Sequence, residues 1–268
     1  MPLTVLTWNT LFAGRDGAED TRAQAQAAFI QQIRPDVFLM QEAKGFDANG
    51  AVWLHALEHA IDMRGFLAVA PRTGQNVAIF IRAPLRPLAF EADGAHFHHA
   101  LAMLRVAVPG SEAPVTFIST HLCPNGPQAR LREAGYLAVQ AAPEKLTLVT
   151  GDFNSASPHD SDPMDWPILA PHHRARYIAD DLRGIDRRVL AQLEAAGWID
   201  LGHHLGGGGT PTVPTAAYRA SEFATMRCDY LLASAALARA ARHYEVLRTP
   251  VTDTASDHYP VLARFELP

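Results

Sequence analysis

The stretch Leu146-Thr-Leu-Val-Thr-Gly-Asp-Phe-Asn-Ser155 joins an apolar run to a group of polar residues. It opens with a short apolar run rich in β-forming residues, which predicts a buried strand ending at Gly151. Asp152 and Asn154 follow, and side chains two residues apart share one face of an extended chain. The stretch therefore predicts a carboxylate and a carboxamide at a strand end, where a hard divalent cation finds oxygen ligands. A plain turn is the alternative, because Gly, Asp, Asn and Ser are also turn residues.

Polar residues also stand at or just past the end of most other apolar, strand-like runs. Asn9 ends the run Thr4–Trp8, and Glu42 follows the run that ends at Met40. In layered α/β folds, sites gather where strand ends meet. Any one such residue is more easily explained as a cap or a turn, but a whole series at successive strand ends is not. The remaining members of the series are His121, Asp229, Asp257 and His258.

Apolar spacing divides the chain into alternating helices and short strands. Helices are predicted at about 21–33, 51–63, 128–141 and 185–197, the first of them capped by Asp20-Thr21. Residues 156 to about 186 are rich in Pro, Asp and His and predict a long loop insertion, which in a compact domain is usually functional or mobile. No change of composition forces a boundary, so residues 1–268 are predicted to form a single domain.

Bulk composition fits a globular protein with a large core, and it weakens the idea of tight binding to long nucleic acid without removing it. The chain has 268 residues, 48% of them hydrophobic, and a formal net charge of −5. Sequence-independent binding of long nucleic acid usually needs a basic surface. There is no apolar stretch long enough for a membrane span, and no basic segment of a signal peptide at the start. A cytoplasmic protein is expected, with Cys123 and Cys228 as free thiols.

Six stretches resemble the endonuclease/exonuclease/phosphatase superfamily, the DNase I-like metal-dependent phosphoesterases, and they occur in that superfamily's order. The resemblance implies an α/β fold, a four-layer sandwich of two mixed β-sheets packed face to face with helices outside. It places the site at one edge, where the strand ends converge. The matching stretches are Leu6-Thr-Trp-Asn9, Leu39-Met-Gln-Glu42, Ser119-Thr-His-Leu122, Thr150-Gly-Asp-Phe-Asn-Ser155, Arg227-Cys-Asp-Tyr-Leu-Leu-Ala-Ser234 and Ser256-Asp-His-Tyr-Pro-Val261.

The resemblance implies a divalent-cation site for Mg²⁺ or Mn²⁺. Glu42 resembles the main carboxylate ligand, and Asn9 and Asp257 resemble its helpers, directly or through water. The chemistry asks for these residue types independently, since a cation neutralises a phosphate oxygen and lowers the pKa of a bound water. Mg²⁺ keeps several waters and needs only one or two protein carboxylates.

The resemblance also implies catalytic roles. Asp152 would orient or deprotonate the attacking water, or hold a second metal ion, and Asn154 would hold the phosphate or that water. His258 would contact the scissile phosphate while Asp229 orients His258. His121 would stabilise charge on the phosphate or on the leaving oxygen.

These residues predict a metal-dependent hydrolase of phosphate esters. A small or single-stranded phosphodiester or phosphomonoester is the favoured substrate, because lysine is scarce and no dense basic stretch with interleaved aromatics occurs. A small molecule or a nucleotide is the expected partner, with nucleic acid left open, no membrane and no obligate protein partner. A DNA endonuclease or exonuclease is the main alternative. A silent binding module and a non-hydrolytic metal enzyme are others, because fold and metal site do not fix the reaction.

Two histidine-rich segments carry weaker signals. The segment with His96, His98 and His99 is interpreted as a solvated loop rather than a transition-metal site, because no carboxylate or cysteine stands at ligand spacing. The segment around His172, Arg174 and Arg176 is interpreted either as a phosphate grip or as an exposed loop.

Overall fold

Two six-stranded β-sheets form the centre of the protein in the computed structural model, which describes residues 2–219 and 222–267. The strands of the first sheet are β1 (Pro2–Asn9), β2 (Val37–Gln41), β3 (Arg64–Ala68), β4 (Val77–Ile81), β11 (Ala241–Val246) and β12 (Val261–Glu266). Their order across the sheet is β11-β12-β1-β2-β4-β3. The last strand therefore lies beside the first one.

The second sheet is built from the middle of the chain. Its strands are β5 (Arg86–Asp93), β6 (Leu101–Ala107), β7 (Val115–His121), β8 (Leu146–Asp152), β9 (Ile199–Asp200) and β10 (Asp229–Ala233). They are arranged in the order β5-β6-β7-β8-β10-β9.

Each sheet is mixed because it contains one parallel pair, β1–β2 in the first and β7–β8 in the second. A parallel pair needs a crossover connection, and α1 and α3 provide the two crossovers. The helices are α1 (Thr21–Ile33), α2 (Val52–Ile61), α3 (Pro127–Ala138), α4 (Pro171–Arg174), α5 (Arg188–Ala195), α6 (Leu201–His204), α7 (Ala235–Ala238) and α8 (Thr252–Ala255). Among the described residues, no helix has the length and apolar character needed to cross a bilayer.

The sheets pack face to face, and the helices cover their outer faces. Side chains alternate between the two faces of a strand. In β1, Val5 therefore points into the core between the sheets while Leu6 packs on the outer face with Phe29 of α1. A third cluster joins the outer face of the second sheet to α3 and α5, with Val149 against them. The predicted four-layer α/β sandwich is confirmed.

Predicted and observed elements differ mainly at their ends. Helix α1 spans the predicted 21–33, but the Asp20 side chain accepts from Gln24 Nε2 at 2.9 Å and makes no capping bond. Strand β8 continues beyond Gly151 to Asp152, because β10 pairs with it at that position. Strand β9 has only two residues, and a run that short leaves no periodic signal.

The segment of residues 156–186 is packed onto the second sheet. Ile178 and Ile185 form a β-bridge, and Tyr177 is buried in a hydrophobic cluster with Met226 and Cys228. The segment contains α4 and a 3₁₀ turn at Trp166–Ile168. Local sequence gives no indication of this packing because its partners come from elsewhere in the chain.

Arg227 anchors this segment to the sheet. Its fully buried guanidinium lies 2.6 Å from Asp200 and 2.9 Å from Asp160, the latter within the segment. A buried charge of this kind is retained only when it is paired. Cys123 and Cys228 are buried free thiols, as expected.

Candidate active site

The strand register brings the predicted polar residues to one edge. Asp152 at the end of β8 pairs with His121 at the end of β7 and with Asp229 at the start of β10. In the first sheet, Asn9 at the end of β1 pairs with Gln41, so Glu42 follows directly. Both sheets therefore end in carboxylates on the same side of the molecule.

A buried hydrogen bond joins the two sheets beneath this edge, and two others brace the first sheet. The Gln41 amide donates to Thr7 Oγ1 at 3.2 Å in its own sheet and to Ser119 Oγ at 3.1 Å in the other. Trp8 Nε1 donates to the carbonyl oxygen of His258 at 2.8 Å. These contacts are buried, and they fix the distance between the strand ends.

The Asn9 amide links the carboxylates of the two sheets. Its Nδ2 lies 3.2 Å from Glu42 Oε1 and 3.1 Å from Asp152 Oδ2, and its Oδ1 accepts from the Leu11 N–H at 3.1 Å. An amide nitrogen carries two hydrogens, so it can donate to both carboxylates at once. Ser256 Oγ donates to the backbone carbonyl oxygen of Asn9 at 2.7 Å.

Glu42 is held in a restricted conformation. Its backbone has φ of 60°, a left-handed value that a residue other than glycine adopts at some cost. Its Oε2 accepts from the Phe12 N–H at 3.0 Å. Burial and the nearby charge of Asp257 raise the pKa of Glu42 to about 7.

The donor set around Glu42 fits a divalent cation. Burial and the Asp152 carboxylate raise the pKa of Asp257, and the charge of Asp257 in turn disfavours the ionised form of Glu42. A hard cation accepts carboxylate and amide oxygens and removes such repulsion. Glu42, Asp257 and Asn9 are the residues that the sequence predicts as metal ligands.

A second group of side chains could also hold a metal ion. Asp152, Asp229 and His258 each offer one ligand atom, and these atoms lie within 4.8 Å of one another. All three residues are buried. His258 Nδ1 already lies 2.9 Å from Asp229 Oδ2, so the same geometry also describes an Asp–His pair.

Opposite electrostatic effects act on the two histidines of the site. Burial lowers the pKa of His258, but the Asp229 and Asp152 carboxylates outweigh it and raise that pKa well above its ordinary value. Burial and the charge of His258 lower the pKa of His121 to about 3. His258 Nε2 lies 3.6 Å from Asp152 Oδ2, and His121 Nε2 lies 3.3 Å from the same oxygen.

Asn154 is fixed by the backbone around it. It has φ of 47°, its N–H donates to Asp152 Oδ1 at 2.8 Å, and its Nδ2 donates to the Leu122 carbonyl at 3.1 Å. The turn that follows β8 therefore orients both the carboxylate and the carboxamide. The two interpretations of this stretch, a turn and a site, describe the same structure.

The sequence interpretation of His99 as part of a solvated loop is wrong. His99 is buried, and its ring lies 4.2 Å from the His121 ring, measured between centroids. Its Nδ1 is 2.8 Å from Thr73 Oγ1. Three histidines in a polar segment indicate solvent exposure by composition alone, and only the long-range packing against β7 shows otherwise.

Three further residues at the site were missed or left open by the sequence. Phe12 contributes its backbone N–H, which carries no side-chain signature. Phe223 packs edge-on against His258 with centroids 5.3 Å apart. Arg176, left open between a phosphate grip and an exposed loop, has its Cζ 5.7 Å from the ring centroid of that same Phe223.

Comparison with known proteins agrees with this geometry. The model of the Endonuclease/Exonuclease/phosphatase family matches residues 6–258. The chain belongs to this family. Members of the family are hydrolases acting on phosphate esters, and they generally depend on a divalent metal. A search of curated proteins found no match.

Solved structures share the family's fold at low sequence identity. An AP endonuclease from Archaeoglobus fulgidus superposes with a TM-score of 0.72 at 19% identity, covering 99% of this chain and 100% of that one. A mannosyl-6-phosphatase from Bacteroides thetaiotaomicron VPI-5482 gives 0.68 at 16%, covering 97% and 98%. The human Nocturnin catalytic domain, solved with a bound sulfate anion, gives 0.68 at 16%, covering 100% and 95%. At these identities the likeness establishes the fold and leaves the substrate open.

Proposed function

We propose that this protein hydrolyses a small or single-stranded phosphate ester with the help of a divalent cation, Mg²⁺ or Mn²⁺. The observation that carries the proposal is the convergence of Glu42 and Asp152, from different sheets, on the amide of Asn9. Two carboxylates held close together repel each other and destabilise the fold, but they can bind a cation and activate a water molecule. We also take residues 1–268 as one domain, supported by the uninterrupted family match over residues 6–258.

Glu42 and Asp257, assisted by Asn9, would hold the cation. We prefer them to the Asp152–Asp229–His258 group because a histidine ligand must offer a free lone pair. His258 uses Nδ1 to bond Asp229 and directs Nε2 toward Asp152. The cation, when bound, supplies positive charge to a phosphate oxygen and makes a water more acidic.

The remaining side chains would activate the water, orient the phosphate and stabilise the charge that develops on it. Asp152 accepts the proton of the attacking water, and Asn154 orients that water or the phosphate. His258, held by Asp229, donates from Nε2 to a phosphate oxygen on which charge grows. His121, neutral and beside Asp152, donates to the phosphate or the leaving oxygen. Each such donor is worth about two to three orders of magnitude in rate.

The small-substrate preference rests on charge. The net charge of −5 is unfavourable for a duplex, which binds through many phosphate contacts. The solved structures that share this fold include an AP endonuclease and a mannosyl-6-phosphatase. The fold by itself therefore does not favour one class of phosphate ester over another. Specificity then belongs to the elements that border the site, above all the 156–186 segment.

The test is hydrolysis of p-nitrophenyl phosphate and bis(p-nitrophenyl) phosphate with Mg²⁺, Mn²⁺ or EDTA. We expect metal-dependent release that falls by at least about a hundredfold in Glu42→Gln. Glu91→Gln, an exposed residue of strand β5, is the matched control and should leave the rate unchanged. Turnover that persists in EDTA, or in Glu42→Gln, would contradict the proposal.

A further inference from the structure

Arg176 carries a positive charge from the 156–186 segment to the rim of the site. Its Cζ lies 5.7 Å from the ring centroid of Phe223, and that ring packs against His258. Its Nε donates to the Pro124 carbonyl, three residues after His121 at the end of β7, so the guanidinium lies beside the end of the second sheet that carries His121 and Asp152. None of the roles assigned above uses this cation.

The backbone of Arg176 is fixed, while its side chain stays accessible. The Arg176 carbonyl accepts from Arg130 Nη2 at 2.8 Å, and Arg130 is itself buried against Ser155 and Cys123. The Arg176 side chain is 17% exposed. The side chain is therefore partly open to solvent, while its backbone is held by buried neighbours.

Glu222 neutralises Arg176 in the resting protein. Glu222 Oε1 lies 2.6 Å from Arg176 Nη1, and the Glu222 side chain is 46% exposed. Arg176 Nε donates to the Pro124 carbonyl at 3.3 Å. These two contacts use two of the five N–H donors of a guanidinium, whose planar fork matches the oxygens of a phosphate.

The Glu222 side of this ion pair is the exposed one, so Glu222 is the partner that can leave. A half-exposed carboxylate regains its hydration when it leaves, so the pair itself contributes little to stability. A phosphate group bound near Asp152 and His258 would offer Arg176 two oxygens in place of one. The exchange is more favourable for a dianion than for a monoanion, because the Coulomb attraction doubles with the charge.

Resting on the proposed function, we propose that Arg176 and Glu222 form an exchangeable pair that selects a terminal phosphate. The phosphate of the substrate displaces Glu222 and binds Arg176. The pair thus directs the site toward phosphomonoesters, which carry a second negative charge near neutral pH, and away from diesters, which carry one. Arg176 is a substrate-binding residue in this assignment, and Glu222 is its competitor.

The first test is binding of inorganic phosphate, measured by calorimetry in EDTA at weakly alkaline pH. Arg176→Gln should weaken binding by about tenfold or more, while Glu222→Gln should tighten it by about threefold or more. Arg176→Lys should retain an intermediate affinity, since it keeps the charge without the fork. Arg86→Gln, an exposed arginine of strand β5, is the matched control.

The opposite sign in the two variants is decisive. If Glu222→Gln weakens phosphate binding as Arg176→Gln does, the pair is a structural brace and the inference is overturned. Absence of phosphate binding by the wild type at millimolar concentration also overturns it. Because Glu222→Gln preserves the shape of the side chain, it keeps the test valid even if Arg176→Gln fails to fold.

The second test compares two esters in the presence of Mg²⁺ or Mn²⁺. Arg176→Gln should lower kcat/KM for p-nitrophenyl phosphate about tenfold more than for bis(p-nitrophenyl) phosphate, chiefly through KM. Equal losses on both esters would overturn the inference and leave the proposed function intact. Arg176-dependent phosphate binding by a protein that hydrolyses neither ester supports the pair and counts against the proposed function.

Discussion

At the scale of single residues, Glu42 combines two opposing requirements. In the proposed function its carboxylate holds a cation, yet burial and Asp257 raise its pKa to about 7 from an ordinary 4.5. A carboxyl group whose pKa is raised in the folded state favours folding when it is protonated. That contribution is present at low pH and is lost as the pH rises from about 4.5 through about 7.

The consequence for metal-free protein is a loss of stability with rising pH. In EDTA, the Tm of the wild type should fall between pH 5 and pH 8, and Glu42→Gln should be the more stable protein at about pH 8. Mg²⁺ should raise the Tm of the wild type and leave Glu42→Gln nearly unchanged. Thermal denaturation followed by circular dichroism measures both effects. A wild type that is more stable than the variant in EDTA at pH 8 would contradict this account.

His258 shifts stability with pH in the same direction as Glu42, although its stabilising form is the charged one. The carboxylates of Asp229 and Asp152 raise its pKa well above the ordinary 6.5, so ionised His258 stabilises the fold. That stability is fully present below about pH 6.5 and is lost as the pH rises through the raised pKa.

Asp229→Asn should therefore destabilise the protein most at acid to neutral pH. We expect a loss of about 3 kcal/mol in the free energy of unfolding at pH 6, shrinking as the pH rises through the pKa of His258. Urea denaturation at several pH values gives the loss, and NMR of the His258 ring gives the shift of its pKa. Glu112→Gln, on an exposed turn, serves as the control. A deficit that is the same at every pH would rule out the charge as its cause.

At the scale of elements, the glycine at the end of β8 sets how closely β7 and β8 approach. Gly151 has φ of 143°, and a Cβ atom there would lie 1.8 Å from the Thr120 carbonyl oxygen. The backbone at Thr120 cannot move aside as easily as the end of a flexible side chain. The bond between β7 and β8 at this point also positions His121 beside Asp152.

Gly151→Ala should cost about 4 kcal/mol or more in unfolding free energy and abolish activity, because the strand ends must separate. Gly135→Ala is the matched control, since that helical glycine has only Gln192 Nε2 at 4.0 Å from an added Cβ. The control should gain up to about 1 kcal/mol from helix propensity. Urea denaturation of both variants is the measurement, and an intact Gly151→Ala protein would refute the close approach.

Most helices and strands could be predicted from the periodic spacing of apolar residues. The run Val77–Ile81 is strand β4 without any change of boundary, because its five residues are all buried. The capping role of Asp20 could not be decided from sequence, since a side chain can bond Gln24 instead of the backbone. The packing of residues 156–186 depends on Val213, Met226 and Cys228, whose distance along the chain hides it from any local pattern.

At the scale of the whole molecule, charge limits the partners. With a net charge of −5, the protein should bind duplex DNA weakly at physiological ionic strength. Fluorescence anisotropy with a labelled duplex and a labelled single strand, at low and physiological salt, tests this expectation. Tight duplex binding with a steep salt dependence would revive the DNA-cleaving alternative.

The sequence was enough to predict which residues form the candidate site, but not how their side chains are arranged. Asn9, Glu42 and Asp152 each follow an apolar run, and the structure brings them within hydrogen-bonding distance. The burial of His99 and the approach of Arg176 depend on contacts between distant segments. Their roles, and those of all the predicted site residues, stay predictions until the variants above are measured.

The position of β12 has a consequence for the order in which the protein matures. β12 pairs with β1 on one side and β11 on the other, and Trp8 bonds His258 across 250 positions of the chain. Contacts this distant along the chain close slowly and late in folding. Asp257 and His258, which lie just before β12, therefore take their places at the site late in folding. On the proposed function, the protein would gain activity toward phosphate esters only when this last step is complete.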